Sequence, residues 1–514
     1  MGNKNIASDS SAGKRMVKNT LVLYLRLLLT IFLTFFTTRE LLLALGARDY
    51  GLSNVVGSIS SMFIFISHLI NAATMRFFSF ELGRNDFERL KKVFSISFLE
   101  YSGAVLIIFI LMETIGLWFF NNKLDVPIDR REAAFYFFQF SIISFLLKIF
   151  TTQYEALTTA HEDMGIFASL KIIYTILSLL IVYMLYIGNF DKLEFYGFLL
   201  AGVNFVYFIA YFVICFVRYP ESRFSFAWDW IICKDLLCFS GWSFFEAISG
   251  LFSNVFVNVV LNNFFGGAAN AARAISVQVS AGISGFTSNF LIAANPQIVK
   301  YWAVDDRQKS INLTFLSSRI AYLLIFIFAC PILSETDFIL RIWLKDVPEF
   351  TVVSTQLIII STILNSMTSP FTYLNNATGN IALYQFVVGI IQWMSFPVVY
   401  IFANLGFGVY VVMGSLLLIT VALFFSRLVI LKRTASISIR QYITFTFLPC
   451  IFATICVSPI IVGLNFIDVH SIIKIVIIFI SSCIAVYLFG IKNDERKMIL
   501  TVVKNKLLKG TSIN

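Results

Sequence analysis

The chain has 514 residues, of which 58% are hydrophobic, 16% aromatic and only 13% charged; its mean hydropathy is +0.84 and its formal net charge +10. That is more apolar surface than a soluble chain of this length can bury, which excludes a soluble enzyme or nucleic-acid-binding domain and leaves a polytopic membrane protein. The apolar segments run about 20 residues or more, as helices crossing a core about 30 Å thick require, and lack the ten-residue alternation of an outer-membrane barrel.

Taken in chain order, hydropathy predicts fourteen spans, at 18–45, 51–80, 91–120, 133–155, 163–187, 195–217, 235–264, 270–297, 311–333, 351–374, 381–403, 406–431, 441–466 and 471–490. The first follows a polar, basic N-terminus and needs no cleaved signal peptide. An even number places both termini on one side. That side, with the tail "IKNDERKMILTVVKNKLLKG", holds about 23 Lys and Arg against about 7 on the other, so both termini are expected in the cytoplasm. The basic excess is thereby explained by topology and contact with anionic lipid, with no nucleic-acid partner.

Sliding the chain against itself by 220 residues lays "LLLALGARDYGLSNVVGSISS" (41–61) on "LNNFFGGAANAARAISVQVSA" (261–281), Gly46 on Gly266, and "GRNDFERLKK" (83–92) on "AVDDRQKSIN" (303–312). Six spans separate the copies, so the repeat is parallel, about an axis along the membrane normal. The expected fold is an all-α polytopic membrane protein of about fourteen transmembrane helices: two six-helix lobes related by a parallel pseudo-twofold repeat, plus two extra C-terminal helices. The expected divisions are an N-terminal lobe (1–217), a cytoplasmic linker (218–234), a C-terminal lobe (235–431), appended spans 13 and 14 (432–490) and a basic cytoplasmic tail (491–514).

Helical spacing puts Arg26, Thr30, Thr34 and Thr37 of span 1 within an arc of about 80°. Span 2 carries Asn54, Ser58, Ser61 and His68 on one stripe, span 8 carries Arg273, Ser280, Ser284, Thr287 and Asn295, and span 7 a broader row of Glu246, Asn254, Asn258 and Asn262. Spans 1, 2, 7 and 8 are equivalent in the two halves, as a polar cavity shared by two lobes requires. Ser, Thr and Asn also serve as interhelical hydrogen-bond glue worth about 0.6 kcal/mol each; Arg26, eight residues inside its span, and Arg273, three residues from the external start of its own, either line a wet cavity or snorkel to the headgroups. At an offset of 220, Arg26 coincides with Glu246, so the two either pair with each other or find separate partners within their own lobes. Glu40, Glu100, Glu113 and Glu246 are candidates for proton or sodium coupling, with nothing in their spacing to choose among them. The seven cysteines form no CxxC or Cys/His cluster and read as small core residues, so no metal, cofactor or disulfide is expected.

The segments "LGARDYGL" (45–52), "YEALTTAHEDMGIFASLKI" (154–172), "NNFFGGAANAARAISVQV" (262–279), "NPQIVKY" (295–301) and "NNATGNIALYQ" (375–385) together resemble the polysaccharide-transporter branch of the multidrug/oligosaccharidyl-lipid/polysaccharide exporter superfamily, which includes O-antigen flippases. The resemblance implies twelve to fourteen helices in two lobes that move undecaprenyl-pyrophosphate-linked oligosaccharides from the inner to the outer leaflet of the bacterial inner membrane. Related peptidoglycan-precursor flippases have arginines on the first, second and eighth helices. Arg26 and Arg273 match the first and eighth; span 2 departs, with Arg76 near its cytoplasmic end and His68 on its stripe.

The expected function is therefore alternating-access export of a lipid-linked oligosaccharide for surface polysaccharide assembly. Arg26 and Arg273 are expected to hold the pyrophosphate, and Thr30, Asn54, His68, Glu246, Asn258 and Ser280 to supply further substrate contacts. Membrane lipids, a polysaccharide polymerase and glycosyltransferases are the expected partners. The alternative is a cation-coupled multidrug exporter of the same superfamily, against which the arginine in span 1 argues. A membrane enzyme would want carboxylates on a sizeable external domain, and the longest external link, 334–350, is too short for one.

Overall fold

The computed structural model describes residues 2–490 except 62, 125, 188, 189, 226, 227, 345 and 468; the side chains of 1–17, 47, 58, 60, 61, 64, 65, 68, 69 and 465 also fall outside the description. The described residues form helices joined by short turns, because inside lipid each backbone N–H and C=O must find its partner within its own segment. The principal elements are α1 (Gly2–Ser61), α2 (Ile64–Arg84), α3 (Phe87–Leu111), α4 (Leu117–Asn122), α5 (Arg131–Ala160), α6 (Met164–Met184), α7 (Lys192–Arg218), α8 (Trp230–Ala303), α9 (Arg307–Ser334), α10 (Thr336–Leu344), α11 (Thr351–Thr378), α12 (Ala382–Trp393), α13 (Ser395–Asn404), α14 (Val409–Thr434), α15 (Ile439–Tyr442), α16 (Leu448–Asn465) and α17 (Ser471–Ala485).

Among the described residues, twelve helical stretches are long and apolar enough to cross a membrane, against the fourteen expected. One of the twelve is the 74-residue α8, which at 1.5 Å per residue is about 111 Å long, several times the thickness of a bilayer core. It breaks at Gly266, where φ is 76° and ψ −172°. The other difference is α2, too polar to be counted, with His68, Asn71, Arg76, Glu81 and Arg84 along its length.

The 220-residue repeat reappears in the backbone. Gly46 breaks α1 with φ 76° and ψ 163°, nearly the conformation of Gly266; a side chain there would be strained, so only glycine suits either place. The next turn of each copy repeats as well. Asn85 and Asp305 are left-handed (φ 56° and 62°); Asp86 N–H reaches Glu81 O at 3.1 Å and Asp306 N–H reaches Tyr301 O at 3.0 Å. Asp86 then caps α3 by accepting from Arg89 N at 3.0 Å, and Asp306 caps α9 by accepting from Lys309 N at 3.4 Å.

The chain divides into two compact units, Leu21–Phe244 and Phe245–Asn514, the latter together with Met1–Thr20. In the first, α5 packs along α7 and against α2 and α3, around a core of Val56, Ile59, Tyr101, Phe138 and Ile142. In the second, α9, α11 and α14 enclose Phe315, Phe371 and Leu428, and the last two spans join the same core through Tyr442, Cys450 and Ile478. Tyr322 bonds to Thr454 at 2.7 Å, and the buried Arg319 donates to Phe445 O at 3.2 Å. One face of each C-terminal span thus packs on this unit's core, the rest of the span being exposed.

Candidate substrate-binding site

In the N-terminal unit, Arg26 is half-buried and turned toward its own lobe: its guanidinium lies 4.9 Å from the Phe167 ring of α6. Glu155 of α5 and Tyr207 and Tyr211 of α7 are its electrostatic neighbours. Tyr207 donates its hydroxyl to Glu155 at 2.8 Å. Lys171 of α6 sits over Tyr174 and Tyr207, at 4.8 and 5.7 Å, within electrostatic reach of Glu155, Lys148 and Arg26. Two cations, on α1 and α6, therefore share the neighbourhood of one carboxylate on α5, with Lys148 of α5 acting on Lys171, all within membrane-spanning helices, where an ionisable side chain marks function by default.

This seam continues into a cavity of about 400 Å³ whose walls come from both arms of α1 (Thr37, Asn54), from α5 (Ser141, Lys148), from α6 (Tyr174) and from α7 (Asn204). Asn54, expected on the span 2 stripe, is one of its walls, and its amide donates to Tyr50 O at 2.9 Å. The threonine stripe of span 1 is satisfied locally: Thr30, Thr34 and Thr37 donate to carbonyls three or four residues back, at 3.0, 2.7 and 2.9 Å. Of these, Thr37 lines the cavity. The side chains of Ser58, Ser61 and His68 lie outside the described residues.

In the C-terminal unit the two helical arms of α8 bring Arg273 against the span 7 row. Its Nη1 donates to Asn258 Oδ1 at 2.5 Å and its Nη2 to Asn254 Oδ1 at 2.8 Å. Two neutral amides orient the guanidinium without cancelling its charge, and Asn254 is itself held by donating to Gly250 O at 3.0 Å. Ser280 bonds to Thr362 of α11 at 2.6 Å, helix-to-helix glue. Glu246 is hydrogen bonded by Gln385 of α12, with the charge of Arg427 of α14 nearby; Arg427 in turn donates to Thr368 at 2.8 Å. Arg26 and Glu246 thus each find company within their own unit.

Of the residues expected from the sequence, Asn258 and Arg273 are in direct contact; Ser280 is turned to structural use. Lys148, Lys171 and Glu155 were not among the expected site residues. Their sequence signal was only that each is charged within an apolar run.

No family model matches the chain, and no curated protein matches it in sequence. Solved structures do match. The MATE transporter ClbM in complex with Rb+ superposes with TM-score 0.69 at 12% identity, over 84% of this chain and 96% of that one. A MOP superfamily transporter from Pyrococcus furiosus with a binding pocket of reversed polarity gives TM-score 0.69 at 13% identity over 83% of this chain and 97% of that one. The Vibrio cholerae MATE transporter VcmN in its bent form gives 0.63 at 15% over 86% and 100%. The likeness is one of fold, spanning nearly the whole of each transporter: this chain has the helical architecture of the MATE/MOP transporters.

Proposed function

We propose that the protein is a flippase that moves a polyprenyl-pyrophosphate-linked oligosaccharide across the bacterial inner membrane, by alternating access, for surface polysaccharide assembly. The observation that carries this reading is the positive charge gathered in the N-terminal unit, where the Arg26 guanidinium and the Lys171 ammonium share the neighbourhood of Glu155. A pyrophosphate entering a low-dielectric region needs compensating charge. A guanidinium offers both permanent charge and a two-pronged donor for phosphate oxygens. Arg273, held by amides instead of carboxylates, is a second such donor in the C-terminal unit. The sugars meet hydroxyls and amides, and the polyprenyl chain stays in lipid. In this reading both termini are cytoplasmic, and the protein serves glycosyltransferases that build its cargo and a polymerase that consumes it.

Glu155 favours a second reading, a cation-coupled multidrug exporter, in which that carboxylate takes a proton, sodium or a cationic drug. One experiment separates the two. Proteoliposomes are loaded with a labelled pyrophosphate-linked oligosaccharide, and flipping is compared among wild type, Arg26→Ala and Arg26→Lys, with efflux of a cationic dye measured in parallel. The flippase reading expects flipping to be lost in Arg26→Ala and partly recovered in Arg26→Lys. Unchanged flipping in both refutes the anion-binding role, and dye efflux without flipping establishes the exporter.

A further inference from the structure

The cavity of the N-terminal unit combines two kinds of chemistry. Its lining holds what a saccharide site uses: the rings of Tyr50, Tyr174 and Tyr196, and the side chains of Asn54 and Asn204, which donate to Tyr50 O and Leu200 O at 2.9 and 2.8 Å and keep an oxygen acceptor each. Its volume of about 400 Å³ is at the small end of ligand pockets, room for about two sugar rings and far too little for a polyprenyl chain.

Against this neutral background stands one ammonium. Lys148 lines the cavity from the middle of α5, is exposed, and has no hydrogen-bond or carboxylate partner for its side chain among the described residues. No acidic residue lines the cavity among those described. The charge of Lys148 acts on a second cation, Lys171, and like charges in a membrane segment favour an anion beside them. Glu155, the carboxylate that acts on Lys171, is engaged by the Tyr207 hydroxyl and shared with Arg26.

We propose that this cavity is a subsite for an acidic sugar, a hexuronate or other carboxylated monosaccharide of the cargo, and that Lys148 is the residue that selects its carboxylate. The inference rests on the flippase reading for its place in transport, but the binding it asserts stands apart from flipping. Arg26 and Lys171 remain with the pyrophosphate. A neutral sugar fits the rings and amides equally well and leaves Lys148 uncompensated.

The test is equilibrium binding to the purified full-length protein in nanodiscs, using three soluble probes: a glucuronic-acid-containing disaccharide, its neutral glucose counterpart and inorganic pyrophosphate. Wild type is expected to bind the acidic disaccharide about tenfold more tightly than the neutral one, the scale of one partly desolvated charge pair. Lys148→Gln abolishes that preference and leaves neutral binding in place, whereas Lys148→Arg retains it. Retained neutral binding in Lys148→Gln also shows that the variant is folded. Equal binding of both disaccharides to wild type overturns the proposal, as does a preference that survives Lys148→Gln. Lys148-dependent binding of pyrophosphate without binding of the acidic disaccharide reassigns the cation and overturns it too. Flipping by wild type with no saccharide binding sinks the subsite alone; Lys148-dependent saccharide binding without flipping sinks the flippase reading alone.

Discussion

Arg130, at the start of α5, is the node of an ion-pair network that ties the walls of the cavity together at one end. It donates from Nε and Nη2 to Asp49 at 2.9 and 2.5 Å, and from Nη1 and Nη2 to Asp191 at 2.5 and 3.1 Å. Asp49 begins the second arm of α1, and Asp191 caps α7 by accepting from Leu193 and Glu194 N–H at 3.0 and 3.3 Å. Lys192 completes the tie by donating to Ala44 O at 3.0 Å, just before the Gly46 break. The side chains of Arg130, Asp49 and Asp191 are 19%, 14% and 30% exposed, between the surface pairs that yield about 0–1 kcal/mol and the buried pairs whose breakage costs about 3–5. Arg130→Ala should therefore cost about 2–3 kcal/mol, mostly through Asp49, since Asp191 keeps its two backbone donors. The neighbouring Arg48–Asp129 pair has ideal geometry, two bonds of 2.7 Å, but is 56% and 62% exposed, so Arg48→Ala should unfold with wild type. The assay is reversible denaturant unfolding in mixed lipid–detergent micelles of wild type, Arg48→Ala, Arg130→Ala, Asp49→Ala and the Asp49→Ala/Arg130→Ala double variant. In the double variant, removal of Arg130 should add only about 1 kcal/mol to the loss from Asp49→Ala, because the main interaction has already gone. Equal losses from Arg48→Ala and Arg130→Ala, or strict additivity in the double variant, would refute the claim that burial decides the value of these pairs.

The repeated backbone devices make further predictions. Asp86→Ala and Asp306→Ala should each lose about 1 kcal/mol in the same unfolding assay, as removal of an N-cap does; a large loss from only one would show that the two caps are not equivalent. Gly46→Ala and Gly266→Ala should each cost about 1–3 kcal/mol through backbone strain alone, because an added methyl would meet nothing within 4 Å at either place. Gly103→Ala, equally open but in regular helix α3, should be neutral or stabilising, and a matching loss there would contradict the strain argument. At the far end of α7, Glu221 is buried; burial alone would raise its carboxyl, but the hydrogen bond from His161 at 2.5 Å and a backbone bond outweigh it and hold it below the usual carboxylate range. With the folded value depressed, its stabilisation is complete above the unfolded carboxylate value and is lost as pH falls through the folded one. Wild type should therefore lose stability more steeply than His161→Ala below about pH 4.5, and parallel pH profiles would contradict this.

What was legible in the sequence was whatever a short stretch of chain decides by itself. The Gly46/Gly266 breaks and the Asp86/Asp306 caps could be aligned because each is specified by a residue type that the local backbone requires. The contact of Arg273 with Asn254 and Asn258 was foreshadowed by polar residues at helical spacing on adjoining spans. The direction of a polar stripe was not legible: Thr30, Thr34 and Thr37 satisfy themselves on their own helix, so their spacing says nothing about what they face. Nor was the Arg26–Glu155–Lys171 cluster, since its members lie on α1, α5 and α6 and only tertiary packing makes them neighbours. Fourteen spans were expected from hydropathy, but α2 spends too many positions on polar groups to be recognised by apolarity alone, and the break in α8 depends on a single glycine in an otherwise continuous helix.

The repeat preserves backbone geometry and discards charge. Arg26 and Glu246 stand 220 residues apart, at the same offset as the paired glycines and caps, with opposite sign. Around Arg26 the first unit places Lys171, with Lys148 acting on it, and the carboxylate of Glu155. Around Glu246 the second unit supplies Arg427 and the Gln385 amide, which satisfies the carboxylate locally. Symmetry of fold would have been served by like charges or by none. Lys148 and Arg26 act on Lys171 as like charges, a cost that an anion bound among them would offset. A structural role would select a balanced pair such as Glu246 with Arg427. Under the proposed flippase function, the counter-charge for such a cluster is the one that the cargo brings.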